Sequence, residues 1–170
     1  MNPIIDDLAH APARATNGGT WQMLSDGVMG GVSSGRMSVE TLDGRKALRL
    51  QGQVSLENNG GFLQRALDLS PDGAPIDASA WSGLELDVRG NDTAYNLHLR
   101  TSDVRRPWQS YRQSFLATPD WTRIRLPFDG FAPHRLDAPL DVSALRRIGL
   151  VAIGRACTAD VALGLIRFYA

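Results

Sequence analysis

Ser25-Asp26-Gly27-Val28-Met29-Gly30-Gly31-Val32-Ser33 is a polar turn that closes on a Gly-Gly pair between apolar flanks. Glu57-Asn58-Asn59-Gly60-Gly61-Phe62 repeats that design further along the chain. A glycine pair permits positive φ and close backbone approach. Asp and Asn side chains bond neighbouring backbone amides in turns. Neither stretch is followed by the Lys and Ser/Thr of a phosphate loop, and neither opens a helical pattern, so neither reads as a nucleotide cradle. Both read as specialised turns that shape a sheet.

Outward from these turns the chain is a series of short apolar alternations. Asn2 to Leu8 suits a first edge strand, and His10 to Gly19 is loop-like. Trp21 to Leu24 runs into the first turn. Arg36 to Leu42 and Ala47 to Leu56 flank Asp43-Gly44, a hairpin signal. In the second of these, Leu48 and Leu50 share one parity, while Arg49 and Gln51 take the other. Phe62 to Leu69 leaves the second turn, and Ser70 to Ser79 is a Pro/Asp/Gly-rich internal loop. Gly83 to Arg89 and Tyr95 to Thr101 alternate about the turn Gly90-Asn91-Asp92. Gln109 to Leu116 and Trp121 to Leu126 follow. Phe128 to Pro139 is irregular. Asp141 is placed to cap one short helical turn through Leu145. Ile148 to Ile153 is an apolar run suited to a central strand, and Val161 to Tyr169 is the last strand. Many short strands with turns between them and almost no helix predict an all-β sandwich or barrel.

The chain has 170 residues, 43% of them apolar, enough for one domain with a real core. The formal net charge is zero, which argues against bulk electrostatic binding of nucleic acid. Cys157 is the single cysteine, so no internal disulfide forms; it reads as a small semi-buried residue. The start, MNPIIDDLAHAP, has no basic segment followed by an apolar run, so no secretion signal is expected. No run approaches the roughly 18 apolar residues of a membrane span. The expected setting is cytoplasmic, with peripheral attachment to the inner membrane left open.

Trp21, DGVMGGVS at Asp26 to Ser33 and ENNGGF at Glu57 to Phe62 together resemble the complex I intermediate-associated protein 30 family. LELDVRGN at Leu84 to Asn91, WQSY at Trp108 to Tyr111, WTRIRLPF at Trp121 to Phe128 and RRIGL at Arg146 to Leu150 fit in the same order. The resemblance covers about 21–168 of a single domain spanning 1–170. It implies a galactose-binding-like jelly-roll β-sandwich with at most one or two short helical turns. It also implies a chaperone-like assembly factor for respiratory complex I, without catalysis. The absence of a long N-terminal extension points to a bacterial relative.

Residues facing outward on the alternating strands are the candidate surface. Glu85, Asp87 and Arg89 lie on one strand, and Asn96, His98 and Arg100 on the next. Arg112 or Gln113, then Arg123 and Arg125, would extend the face if all four strands share a sheet. Such a face suits either a polar ligand or partner, or a solvated surface of cross-strand ion pairs. Trp108 and Tyr111, beside Arg105-Arg106-Pro107, suit stacking on a ligand or a place in the core. Asp26, Asn58 and Asn59 would meet if the two turns pack together. They would then cap backbone amides in preference to holding Ca²⁺, because only one of them is a carboxylate.

The leading expectation is a non-catalytic module that binds a protein partner, such as respiratory-complex subunits or assembly intermediates. Its binding residues would come from Asp26, Asn58, Asn59, Asp87, Asn96, His98, Arg100, Trp108 and Tyr111. The alternative is binding of a carbohydrate or another small polar ligand. Third is an enzyme using His98, Asp87 and Arg100. The three histidines show no zinc spacing, and no cofactor or metal is expected.

Overall fold

The computed structural model describes residues 1–10, 14–29, 31–59 and 61–170. Gly30 and Gly60 of the two Gly-Gly turns, and residues 11–13 of the first loop, lie outside the described residues.

The strands are β1 (Ile4–Asp6), β2 (Gln22–Ser25), β3 (Ser34–Leu42), β4 (Arg45–Val54), β5 (Phe62–Asp68) and β6 (Gly83–Gly90), then β7 (Thr93–Thr101), β8 (Ser110–Ala117), β9 (Thr122–Pro127), β10 (Ala132–His134), β11 (Leu145–Ile153) and β12 (Cys157–Tyr169). They form two antiparallel sheets. The first runs β3-β4-β12-β6-β9, with β1 added on β12; the second runs β10-β8-β7-β11-β5-β2. The fold is an all-β jelly-roll sandwich of the galactose-binding-like type.

Inward residues of both sheets make one core. Leu48, Leu50, Leu84, Leu86 and Ile166 come from the first sheet, and Leu63, Leu67, Leu97, Leu99 and Leu150 from the second. Each contributes roughly 1.5–3 kcal/mol by leaving water. Arg65 is the exception. It lies on β5 between Leu63 and Leu67, points inward and is 1% exposed. Its guanidinium sits 5.7 Å from the Trp21 ring centroid, and Nη1 donates to the Arg49 carbonyl at 3.3 Å. Among the described residues its Nε has no partner, and burial pushes its pKa down to about 10. The Trp21 indole N–H donates to buried Asp6 at 2.7 Å.

Asp43 and Gly44, at φ 48° and 74°, close the expected β3–β4 hairpin. Asp141 caps a 3₁₀ turn over Val142–Ala144, accepting from the Ser143 amide at 3.0 Å. The turn stops short of Leu145, which opens β11. The stretch expected to be irregular after Phe128 contains β10, paired with β8 at the sheet edge. β12 starts at Cys157, four residues before the expected Val161. Its first inward positions are Cys157 and Ala159, too small to register as an apolar alternation.

Gly90-Asn91-Asp92 is a turn but not a hairpin. β6 belongs to the first sheet and β7 to the second, so this turn arches across the sandwich. Alternation in sequence is the same whether consecutive strands pair or face one another.

Candidate functional site

The two Gly-Gly turns are joined by one carboxylate. Asp26 is fully buried. Its Oδ1 accepts from the Ser33 amide at 2.9 Å, and its Oδ2 accepts from the Ser33 hydroxyl. Oδ2 also accepts from the amides of Gly61 at 2.6 Å and Phe62 at 3.2 Å. Burial would raise the Asp26 pKa, but these bonds from Ser33, Gly61 and Phe62 outweigh it and hold the carboxyl below its usual range. The Ser33 hydroxyl in turn accepts from the Ser55 amide at 2.9 Å. A Cβ on Gly31 would lie 2.5 Å from Asp26 Cγ, so glycine is required there. The Asp26 oxygens are therefore occupied by N–H and O–H donors. Asn58 is exposed, at φ 56°, a left-handed conformation that Asn tolerates. The Asn59 side chain lies outside what is described.

The expected single polar face is divided between the two sides of the sandwich, because β6 and β9 lie in one sheet while β7 and β8 lie in the other. His98 and Arg100 thus do not meet Asp87, and the postulated catalytic trio is not assembled. On the first sheet, Glu85 accepts from Arg125 Nε and Arg167 Nε, both at 2.9 Å. Asp87 accepts from Arg45 at 2.5 Å and from Arg123 Nε at 2.8 Å. Arg45 lies 5.0 Å from the Trp121 ring centroid and Arg125 lies 4.5 Å from that of Tyr169. Both carboxylates are 2% exposed beneath these arginines. Hydrogen bonds from Arg125 to Glu85 and from Arg123 to Asp87 hold both below the ordinary carboxylate range. Arg89 bonds Asp43 at 2.5 Å. This face is closed by its own ion pairs.

The outer face of the second sheet is different. Cross-strand register aligns Gly149, His98 and Arg112 in one row and Asp68, Arg147 and Arg100 in another. Among the described residues, Arg100 and Arg112 have no carboxylate partner. Arg112 Nε donates to the Ser110 hydroxyl at 2.8 Å. His98 is 8% exposed, and among the described residues its buried Nε2 has no hydrogen-bond partner. Burial, then Arg112, His134 and Arg100, push the His98 pKa down to about 3, so the ring is neutral near pH 7. Asn96 lies on the same face, one row toward the start of β7. Gln113 takes the opposite parity and donates to the Pro127 carbonyl at 3.0 Å.

Trp108 stands at the end of this face, on the β7–β8 loop, and is 55% exposed. The loop is braced from two sides. Arg100 Nη1 donates to the carbonyl of Gln109 at 3.1 Å. The Gln109 side chain accepts from the amides of Arg105 at 3.2 Å and Arg106 at 3.1 Å, and donates to the Arg135 carbonyl at 3.1 Å. Tyr111 is fully buried in the core, and its hydroxyl donates to the Ala138 carbonyl at 2.7 Å. The Gly-Gly turns precede β5, which runs antiparallel to β11, and β11 runs antiparallel to β7. They therefore lie at the opposite end of the second sheet from Trp108. Ser33, Gln109 and Arg147 escaped sequence reasoning: Arg147 meets Asp68 and Gln109 meets Arg135 only across the fold, and Ser33 meets Asp26 only once the first turn has closed.

The sequence profile of complex I intermediate-associated protein 30 matches residues 11–163. The chain belongs to the complex I intermediate-associated protein 30 family. No curated protein matches this family member significantly. Among solved structures, it is similar to a family 11 carbohydrate-binding module of a cellulosomal cellulase of Clostridium thermocellum. That likeness has TM-score 0.75 and 14% identity over 100% of this chain and 95% of the other. The family 11 module from that organism in complex with a β-1,3-1,4-mixed-linked tetrasaccharide gives TM-score 0.74 and 15% identity over 99% and 95%. A family 30 module of a cellulosomal cellulase from the same organism gives TM-score 0.69 and 17% identity over 98% and 96%. At such identities these similarities speak to the fold alone. No helix among the described residues is long and apolar enough to cross a membrane.

Proposed function

We propose that this protein is a non-catalytic binding and assembly module that captures a protein partner on the outer face of its second sheet. The observation that carries this reading is Trp108, an exposed tryptophan on a loop braced by Arg100 and Gln109. A rigidly presented aromatic beside arginine is the type of residue that dominates binding energy at protein interfaces. Arg112 and the edge of His98 extend the same surface, whereas Glu85 and Asp87 on the other sheet already have partners. Membership of the family supports subunits or intermediates of respiratory complex I as the partner class. The unpaired arginines favour a partner surface that is acidic.

The test is affinity capture from a native extract, comparing the wild type with a folded variant carrying Trp108→Ala and Arg112→Gln. The reading predicts that complex I subunits or intermediates are retained by the wild type and lost by the variant. Retention of the same proteins by both, or of none related to complex I, overturns it. A second reading is carbohydrate binding through Trp108, favoured by the jelly-roll fold shared with the carbohydrate-binding modules. It predicts a rise in melting temperature with soluble mixed-linkage β-glucan that Trp108→Ala abolishes.

A further inference from the structure

Arg146 and Arg147 are adjacent in sequence, and in a regular strand their side chains would point to opposite faces. They do not, because the β11–β7 register slips between Leu145 and Arg147. Leu145 pairs with Thr101 and Arg147 with Arg100, so Arg146 is an extra residue in a bulge. Leu145 and Ile148 on either side are buried in the core. The bulge thereby turns both arginines outward; bulges re-aim side chains in this way beside functional sites. Together with Arg100 they line a cavity of about 220 Å³, completed by Asp68, Gly73, Thr101 and Val104.

Three guanidiniums face this cavity with one carboxylate. Arg147 Nε donates to Asp68 at 2.7 Å. Arg146 donates through Nε and Nη2 to the Gly73 carbonyl, at 3.2 and 3.0 Å. Arg100 uses Nη1 on loop carbonyls. Each guanidinium carries five N–H donors, so most remain available. The formal balance is three positive charges against one negative, which a dianion neutralises. The cavity is smaller than the roughly 300–1,000 Å³ of sites for drug-sized ligands. Planar guanidinium forks match the oxygens of phosphate.

The geometry points to a phosphate-binding site formed by Arg100, Arg146 and Arg147, which takes inorganic phosphate or a small phosphomonoester. This site stands independently of the protein partner proposed above: its ligand is a small anion, and of its three arginines only Arg100 also braces the Trp108 loop.

The test is calorimetric titration of the full chain with inorganic phosphate and, separately, glycerol 3-phosphate, with ionic strength held constant by sodium chloride. Saturable binding of either probe is expected, and the tighter one identifies the source of the phosphate group. Arg146→Gln removes only the exposed bonds to Gly73 and should weaken binding about tenfold or more. Asp68→Asn frees Arg147 and should strengthen binding several-fold, a change in sign that damage to the fold would not produce. Arg123→Gln on the opposite sheet should leave affinity unchanged. Absence of saturable binding, or equal affinity in wild type, Arg146→Gln and Asp68→Asn, overturns the assignment. Affinity unchanged on Trp108→Ala but weakened on Arg146→Gln separates this site from the partner surface.

Discussion

The Asp26 carboxylate accepts the Gly61 amide at 2.6 Å, joining two turns 35 residues apart in the chain. Asp26→Ala strips hydrogen bonds from the amides of Ser33, Gly61 and Phe62 and leaves buried donors unpaired. We expect a loss of about 3 kcal/mol in urea unfolding. Asp26→Asn should lose less, because its amide oxygen still accepts. Equal stability of wild type and Asp26→Ala would show that the turns hold without this contact.

Glu85 lies beneath arginines that are half-exposed, so its ion pairs are partly screened. Glu85→Gln should cost about 1 kcal/mol and flatten the acid limb of stability. A carboxyl held low in the fold stabilises above its unfolded pKa, and that gain fades as pH falls through the folded value. Capture of a partner should be unaffected. Loss of capture at full stability would move the binding surface to the first sheet.

His98 titrates near 3 in the fold against an ordinary 6.5. Above pH 6.5 the ring is neutral in both states and contributes no pH dependence. As pH falls below that, the unfolded chain takes up a proton that the folded one refuses. Stability therefore drops, by at most about 1.4 kcal/mol per pH unit. His98→Gln should remove this part of the slope between about pH 6.5 and about pH 4.5. Urea midpoints across that range decide it; identical slopes in wild type and variant would mean that the ring is hydrated and free to protonate.

Arg65 is a charged group in the core whose Nε has no partner among the described residues. Replacing a buried charge with an apolar side chain of similar length is often neutral or stabilising. Arg65→Met should change stability by no more than about 1 kcal/mol in either direction. A loss of several kcal/mol would show that the contacts to Trp21 and the Arg49 carbonyl anchor the two sheets.

Local chemistry carried much of this in the sequence. The parity of Leu84, Leu86 and Val88 against Glu85 and Asp87 marks a strand with one face in the core, because side chains alternate along any strand. Asp43-Gly44 marks a hairpin, because both residues adopt positive φ. The Gly-Gly turns and their flanks carry the family, and with it the jelly roll. Which strands share a sheet was decided only in three dimensions. Period-two alternation is indifferent to the neighbour, so Asp87 and His98 looked like one surface and occupy two. Tyr111 shares the parity of Phe115, and that alternation left a place in the core and stacking on a ligand both open; the fold buries its ring and ties its hydroxyl to the loop carbonyl of Ala138. The burial of Asp26, the orphaned Nε2 of His98 and the turning of Arg146 to the side of Arg147 depend on partners distant in the chain or on a register slip. Only the folded backbone supplies those.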